Sequence, residues 1–126
     1  MRGFTLIEVI LAIFILVAGI VGVLGMFSLG VQTESKAKMS MISLELVQAK
    51  LEELVSLPYS EINSLTEDYG QISGFESYKR QADIAYWDPA NSTTSQTDLG
   101  IKRIKVIVFW DSNKQNSELL TLIQQQ

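Results

Sequence analysis

The chain has 126 residues and a formal net charge of -4, so it has room for one small acidic domain beside any membrane segment. It contains no cysteine and no histidine, which excludes thiolate and imidazole zinc ligands, thiol nucleophiles and histidine general bases. The acidic balance also disfavours a surface for nucleic acid or anionic lipid, because phosphate binding needs a concentrated positive field, and we expect no nucleic-acid partner.

The first predicted element is an apolar helix. No Asp, Glu, Lys or Arg occurs between Val9 and Val31, a run long enough to cross a hydrocarbon core of about 30 Å. A cleaved secretory signal is not favoured, because the residues after Val31 offer no small-x-small site and the helical pattern continues. Gly19, Gly22 and Gly25 are spaced by three and lie roughly on one face, which favours close helix packing over the ordinary enrichment of glycine in membrane helices.

One acidic residue, Glu8, directly precedes this run. A carboxylate deep in a bilayer costs about 2.5–3.5 kcal/mol, and less near the interface. The basic residue nearest to it in the sequence is Arg2. The residues alone therefore leave two interpretations open: Glu8 is solvated at headgroup level, or it pairs with a cation supplied by another molecule.

The residues Gly3-Phe4-Thr5-Leu6-Ile7-Glu8-Val9 resemble the class III signal of type IV prepilins and pseudopilins. The resemblance implies a leader peptide at residues 1–3, cleavage by a prepilin peptidase between Gly3 and Phe4, and N-methylation of Phe4. It also implies that Glu8 pairs with the amine of Phe4 on a neighbouring subunit. Because that amine offsets the cost of the carboxylate only in the correct axial register, Glu8 is expected to fix the register of assembly.

The same resemblance implies a structural subunit of a type IV pilus or a type II secretion pseudopilus. Its expected partners are other pilin or pseudopilin subunits, the prepilin peptidase and the inner-membrane assembly platform. The chain would cross the inner membrane once, with its C-terminal domain on the periplasmic or extracellular side. Major pilins commonly carry a proline in the apolar helix, and its absence here, together with the small size of the chain, favours a minor subunit. The long helix followed by the residues Leu-Pro-Tyr-Ser-Glu at 57–61 and by a hairpin rich in Val and Trp further resembles I-type pseudopilins and V-type minor pilins.

Two other functions are hypotheses of different classes. The first alternative is a subunit for binding or adhesion at the filament tip, or a competence-type subunit for DNA uptake. The second is a membrane-anchored enzyme, for which the sequence nominates no residue. We predict no catalytic residue, metal site or cofactor, and no enzymatic activity.

The apolar period continues beyond Val31 and ends before Pro58, which cannot continue a helix. The pattern predicts one helix from about Phe4 to Ser56, with a transmembrane or filament-core half at 4–31 and an amphipathic half at 32–57. The apolar positions of the second half are Met39, Ile42, Leu44, Leu46, Val47, Ala49, Leu51 and Leu54.

The remaining residues, 58–126, predict a globular head. Alternating side chains predict three strands, and polar stretches predict the connections between them. The strands are expected at Phe75–Trp87, Ile101–Trp110 and Glu118–Ile123, with a short helical turn at Tyr59–Leu65, a loop at Asp88–Gly100 and a turn at Asp111–Asn116. The predicted fold class is therefore α+β, a long helix packed on an antiparallel sheet of about three strands, as in the pilin fold.

Two groups of side chains suggest a binding or catalytic site at first sight. Asp111, Asn113 and Asn116 have the oxygen ligands of a calcium loop, but tight turns favour the same residue types, and we predict a turn. The adjacent acids Glu52-Glu53 and Glu67-Asp68 are expected to be solvated rather than to form catalytic pairs, because neighbouring side chains diverge.

The basic cluster Lys102-Arg103-Lys105 is predicted to lie on a solvated strand edge, where charge deters unwanted pairing. Trp87 and Trp110 are predicted to be core or rim aromatics of the head.

Overall fold

The computed structural model describes residues 3–125, so Met1 and Arg2 of the predicted leader lie outside the described residues. Helix α1 spans Leu6–Ser56, which confirms the predicted long helix and its end before Pro58. The chain divides into two compact units between Lys38 and Met39. In the described residues, the first unit contains the apolar part of α1, and the second contains the rest of α1 and the sheet.

The second unit has an antiparallel sheet of five strands, where the sequence predicted about three. The helical turn predicted at Tyr59–Leu65 is confirmed over Tyr59–Glu61, where a short 3₁₀ helix forms. The strands are β1 (Leu65–Glu67), β2 (Lys79–Asp88), β3 (Thr93–Ser95), β4 (Ile101–Trp110) and β5 (Gln115–Gln124). Their order is β1-β2-β4-β5, and β3 also pairs with β2.

The two strands that the sequence analysis missed have three residues each. An alternating pattern cannot be recognised over three residues. Both strands form by pairing with β2, and a local sequence pattern does not show that pairing. β3 lies inside the predicted loop and returns from β2 through a tight turn. That turn is stabilised by Asp88, which accepts hydrogen bonds from the Ala90 N–H at 2.9 Å and the Asn91 side chain at 2.7 Å. The prediction of an unbroken loop from Asp88 to Gly100 was therefore wrong.

The three long strands follow the predicted alternation. The inner face of β4 is buried, and the register places the inner residues of β2 beside it, with Ala82 opposite Val106 and Ile84 opposite Ile104. Burial of such apolar side chains stabilises each by about 1.5–3 kcal/mol relative to exposure. The buried core comprises Leu46, Val47, Leu54, Ile62, Ile72, Tyr78, Ala82, Ile104, Val106, Val108 and Trp110.

The end of α1 packs on this inner face, as predicted, but the buried residues of the helix are not all those that were predicted. Leu44 and Ala49 are exposed, whereas two polar residues, Ser43 and Lys50, are buried. The Ser43 hydroxyl donates to the Ser40 carbonyl oxygen and shares a hydrogen bond of 2.7 Å with the Ser117 hydroxyl. These hydrogen bonds satisfy the Ser43 hydroxyl, which allows it to be buried. A prediction from apolar residues alone does not place this serine in the core.

A partly buried ion pair joins α1, β1 and β2. Arg80 donates from Nε and Nη2 to the Glu67 carboxylate, the second contact being 2.9 Å, and from Nη1 to the Leu46 carbonyl oxygen at 3.5 Å. The hydrogen bonds from Arg80 hold the pKa of Glu67 below its ordinary value of 4.5. This lowered pKa stabilises the folded state above about pH 4.5, and the stabilisation is lost as the pH falls further.

We expect Glu67→Gln to lower the free energy of unfolding by about 2 kcal/mol at pH 7 and to flatten its dependence on pH below pH 4.5. Urea denaturation of the full chain in detergent at pH 7 and pH 3 measures both. The matched control is Glu118→Gln, which removes an exposed pair with Lys105 and is expected to cost less than about 1 kcal/mol. Equal losses of unfolding free energy in the two variants would contradict a stabilising role of the Glu67–Arg80 pair beyond that of an exposed pair.

Candidate functional site

The predicted cleavage site lies just before the helix. Gly3, Phe4 and Thr5 are exposed and have no regular secondary structure. The Thr5 carbonyl oxygen accepts hydrogen bonds from the N–H groups of Glu8 at 3.1 Å and Val9 at 3.3 Å, so Thr5 is the N-terminal capping residue of α1. The Gly3–Phe4 bond is therefore outside the hydrogen-bonded helix and accessible within this chain.

The apolar part of α1 is exposed over its whole described length. Its most apolar stretch has a mean hydropathy of 3.0 and is not buried, and the helix is long and apolar enough to cross a membrane. Large side chains from Phe4 to Val31 are 46% to 83% exposed. Exposing a surface this apolar to water is unfavourable, and the length and composition of the helix would allow a bilayer to cover it.

Glu8 lies in the first turn of this helix, where the partial positive charge of the N-terminus favours an acid. Its side chain is exposed, and it forms no salt bridge with any residue from 3 to 125. The basic residue near it in sequence, Arg2, is outside the described residues. The described part of the chain thus presents a carboxylate without a cationic partner at the start of an apolar surface.

The three glycines predicted to mediate packing face open space within residues 3–125. A Cβ atom built on Gly19, Gly22 or Gly25 meets no atom within 4 Å. Glycine inside a helix costs about 1 kcal/mol relative to alanine, and no close contact among the described residues requires glycine here. The helix backbone is therefore open to close approach by another molecule at these positions.

The chain matches no protein-family model, no curated protein and no solved structure.

The residues that were weighed as a calcium loop form a turn between β4 and β5, as predicted, but the turn covers only 111–114, and Asn116 lies in β5 opposite Phe109. Asp111, Ser112 and Asn113 have positive φ angles of 51°, 55° and 66°, a conformation that Asn and Asp tolerate better than most residues. The Tyr69 hydroxyl donates to Asn113 Oδ1 at 2.9 Å and accepts from the Asn113 N–H at 3.0 Å. These contacts give the turn residues a structural role.

The two pairs of adjacent acids, one in α1 and one in the head, do not share a binding site. Glu53 pairs with Lys50 at 2.9 Å, and its neighbour Glu52 is exposed. Glu67 pairs with Arg80, while Asp68 lies 3.4 Å from Lys79. Neither adjacent pair of acids forms a two-carboxylate site.

The prediction of a solvated edge for the basic cluster was wrong. β4 is a central strand, between β2 and β5, so its charged residues lie within the sheet. Lys102 is on the buried inner face, while Arg103 and Lys105 pair with Asp83 at 3.0 Å and Glu118 at 3.2 Å on the outer face. The sequence did contain the signal, because Lys102 is in phase with Ile104 in the alternating pattern. Trp110 is buried and Trp87 is half-buried, which confirms their prediction as core and rim aromatics.

Tyr59 closes the end of the sheet near Lys102. Its hydroxyl donates to Asp98 Oδ1 at 2.7 Å, and the Lys102 ammonium lies 4.5 Å from the centre of its ring. Burial, followed by the hydrogen bond to the Asp98 carboxylate, raises the pKa of Tyr59 to about 12. The protonated form is thus favoured in the folded state.

We expect the stability conferred by this raised pKa to be complete below pH 10 and to be lost as the pH rises towards 12. Tyr59→Phe should cost about 1 kcal/mol at pH 8 and reduce the loss of stability between pH 10 and pH 12. Part of the loss remains, because burial also raises the pKa of Tyr78. Denaturation of both proteins across this pH range measures the effect, and identical pH profiles would contradict it.

Proposed function

We propose that this protein is a structural subunit, of the minor class, of a filament of the type IV pilus or type II secretion pseudopilus kind. The observation that carries the proposal is the position of the motif Gly3 to Val9, which runs into the start of α1 where the helix is apolar and is not buried by any residue from 3 to 125. A filament core provides what this helix lacks, namely apolar neighbours on all sides and a cation beside Glu8.

The α+β architecture supports the proposal. A long N-terminal helix whose last part packs on an antiparallel sheet separates an assembly segment from a folded head. Because α1 contains no proline, it runs without interruption from Leu6 to Ser56, which agrees with minor rather than major status.

The proposed sequence of events follows from the chemistry of the N-terminus. The subunit is held in the inner membrane by α1, with its head on the periplasmic or extracellular side. Cleavage after Gly3 creates a new amine on Phe4, which is then methylated and remains cationic. In a water-poor bundle of helices, that amine and the Glu8 carboxylate of the adjacent subunit neutralise each other only when the two helices have the correct axial offset.

Photocrosslinking in the native host tests the proposal. Benzoylphenylalanine replaces Phe14, which is 71% exposed on the apolar helix, and in a matched control it replaces Tyr69, which is on the head. We expect the variant at residue 14 to crosslink to the N-terminal helix of another subunit in the filament fraction, and the control to give no crosslink to that helix. If residue 14 crosslinks to lipid alone and no chain is found in filaments, the proposal is wrong.

A further inference from the structure

The head contains a pocket of about 330 Å³ that does not involve the apolar helix. The segment before β1 forms one wall and residues of β2, β3 and β4 form the others. Its lining includes Ile62, Ser64, Tyr86, Ser95 and Lys102. The volume is at the lower end of the range for small-ligand sites, enough for a small organic acid or one side chain of a partner.

Lys102 is the charged group of this pocket, and it lacks an acidic partner. The residue is 7% exposed, and its ammonium donates to the carbonyl oxygens of Tyr59 at 2.7 Å and Ile62 at 3.0 Å. The other buried lysine, Lys50, pairs with Glu53, whereas Lys102 forms no salt bridge within residues 3–125. A buried cation paired only with neutral groups is costly, so a negative charge brought into the pocket is favoured.

Asp98 is an acidic group close enough to interact electrostatically with Lys102, but it does not line the pocket. Its Oδ1 atom accepts hydrogen bonds from the Tyr59 hydroxyl at 2.7 Å and from the Gly100 N–H at 2.8 Å. Asp98 thus holds Tyr59 in place against Lys102. A lysine has three N–H donors, and two of those on Lys102 are used by carbonyl oxygens, which leaves the third for a ligand.

Ser64 supplies a second donor. Its hydroxyl oxygen accepts a hydrogen bond of 3.0 Å from the Ile84 N–H, while its own proton makes only a long contact of 3.4 Å with the Ile84 carbonyl oxygen. The hydroxyl proton therefore loses little by turning to a better acceptor. Ile62, Ile84 and the ring of Tyr86 provide apolar walls beside these two donors.

We propose that the Lys102 pocket binds a carboxylate group, with the ammonium as its counter-ion and the Ser64 hydroxyl as a second donor. The carboxylate belongs either to a small free acid or to an acidic side chain of a partner protein. The site is independent of the filament proposal, because its residues all lie in the head and none is in the apolar helix.

Titration of the isotopically labelled full chain in detergent, followed by amide NMR, tests the proposal. Acetate represents the free acid and N-acetylglutamate amide represents the side chain, with N-acetylglutamine amide as the neutral control at equal ionic strength. We expect saturable shifts at Ile84, Tyr86 and Lys102, with a Kd on the order of 1 mM, and none with the neutral ligand. Equal binding of both acids indicates a free acid, and tighter binding of the glutamate derivative indicates a protein partner.

Variants distinguish this site from general charge effects. Lys102→Met is expected to abolish the shifts, and Lys114→Met, at the exposed turn, is expected to leave them unchanged. Ser64→Ala retains the lysine and is expected to weaken binding about threefold to tenfold, which decides the question if Lys102→Met does not fold. Absence of saturable shifts with both acids, or the same affinity in Ser64→Ala and the unmodified protein, would overturn the proposal.

Discussion

Replacing Glu8 by alanine is expected to leave membrane insertion unchanged and to reduce incorporation into filaments about a hundredfold. The apolar run from Val9 to Val31 carries the insertion, and Glu8 is outside it. Removal of the carboxylate leaves the Phe4 amine of the neighbouring subunit without a counter-ion in an apolar core, at a cost of about 3 kcal/mol for each contact. The ratio of chain in sheared or purified filaments to chain in the membrane fraction measures the effect.

Glu34→Ala is the matched control, because it removes an exposed acid from α1 beyond the apolar run. Its incorporation should equal that of the unmodified protein. Glu8→Gln keeps the size of the side chain and removes only the charge, so it should behave like Glu8→Ala. Normal incorporation of both Glu8 variants would reject the register role of this residue.

Replacing Gly3 by leucine is expected to abolish N-terminal processing, with the uncleaved chain accumulating in the membrane and reaching no filament. The physical reason is steric, since a peptidase that reads a glycine next to the cleaved bond has no space for a branched side chain there. A Cβ at Gly3 meets no atom within 4 Å in this chain, so the substitution disturbs no contact of the folded protein. Mass measurement of the membrane-bound chain reports the cleavage.

Gly3→Ala adds a single carbon and serves as the control, with cleavage expected to remain detectable. Cleavage of Gly3→Leu at the normal rate would contradict recognition of this bond by a prepilin peptidase.

Much of the architecture follows from periodicity. The apolar run and Pro58 predict α1 almost to the residue, and the alternation of Ile104, Val106 and Val108 predicts the buried face of β4. Long regular elements repeat their signal over many residues, so local exceptions do not hide it. The relation of this fold to the pilin family remains a prediction, because it rests mainly on the N-terminal motif.

The features that sequence reasoning missed depend on tertiary contacts. β1 and β3 exist because β2 offers hydrogen-bonding edges, and Ser43 is buried because Ser117 faces it. Lys102 was expected at a solvated edge, since lysine is seldom buried. It is buried because β4 is a central strand, and the carbonyl oxygens of Tyr59 and Ile62 accept hydrogen bonds from its ammonium group. The pocket beside it was therefore not foreseeable from the sequence.

The N-terminal motif is visible in the sequence alone. The structure adds that two features of α1 have no contact partner among residues 3–125. Glu8 has no cationic partner among residues 3–125, and the glycines at 19, 22 and 25 face open space. Both features are costly in an isolated chain and useful in an assembly of helices. In the proposed assembly the partners of these residues lie in other molecules, so neither the sequence nor the fold of one chain identifies them.

Mass spectrometry of the chain purified from its native membrane tests whether the Phe4 amine is the partner of Glu8. We expect a mature N-terminus at Phe4 that carries one methyl group on its amine, because that amine is the proposed counter-ion of Glu8. A chain that retains Gly3 before an unmodified Phe4 would contradict it.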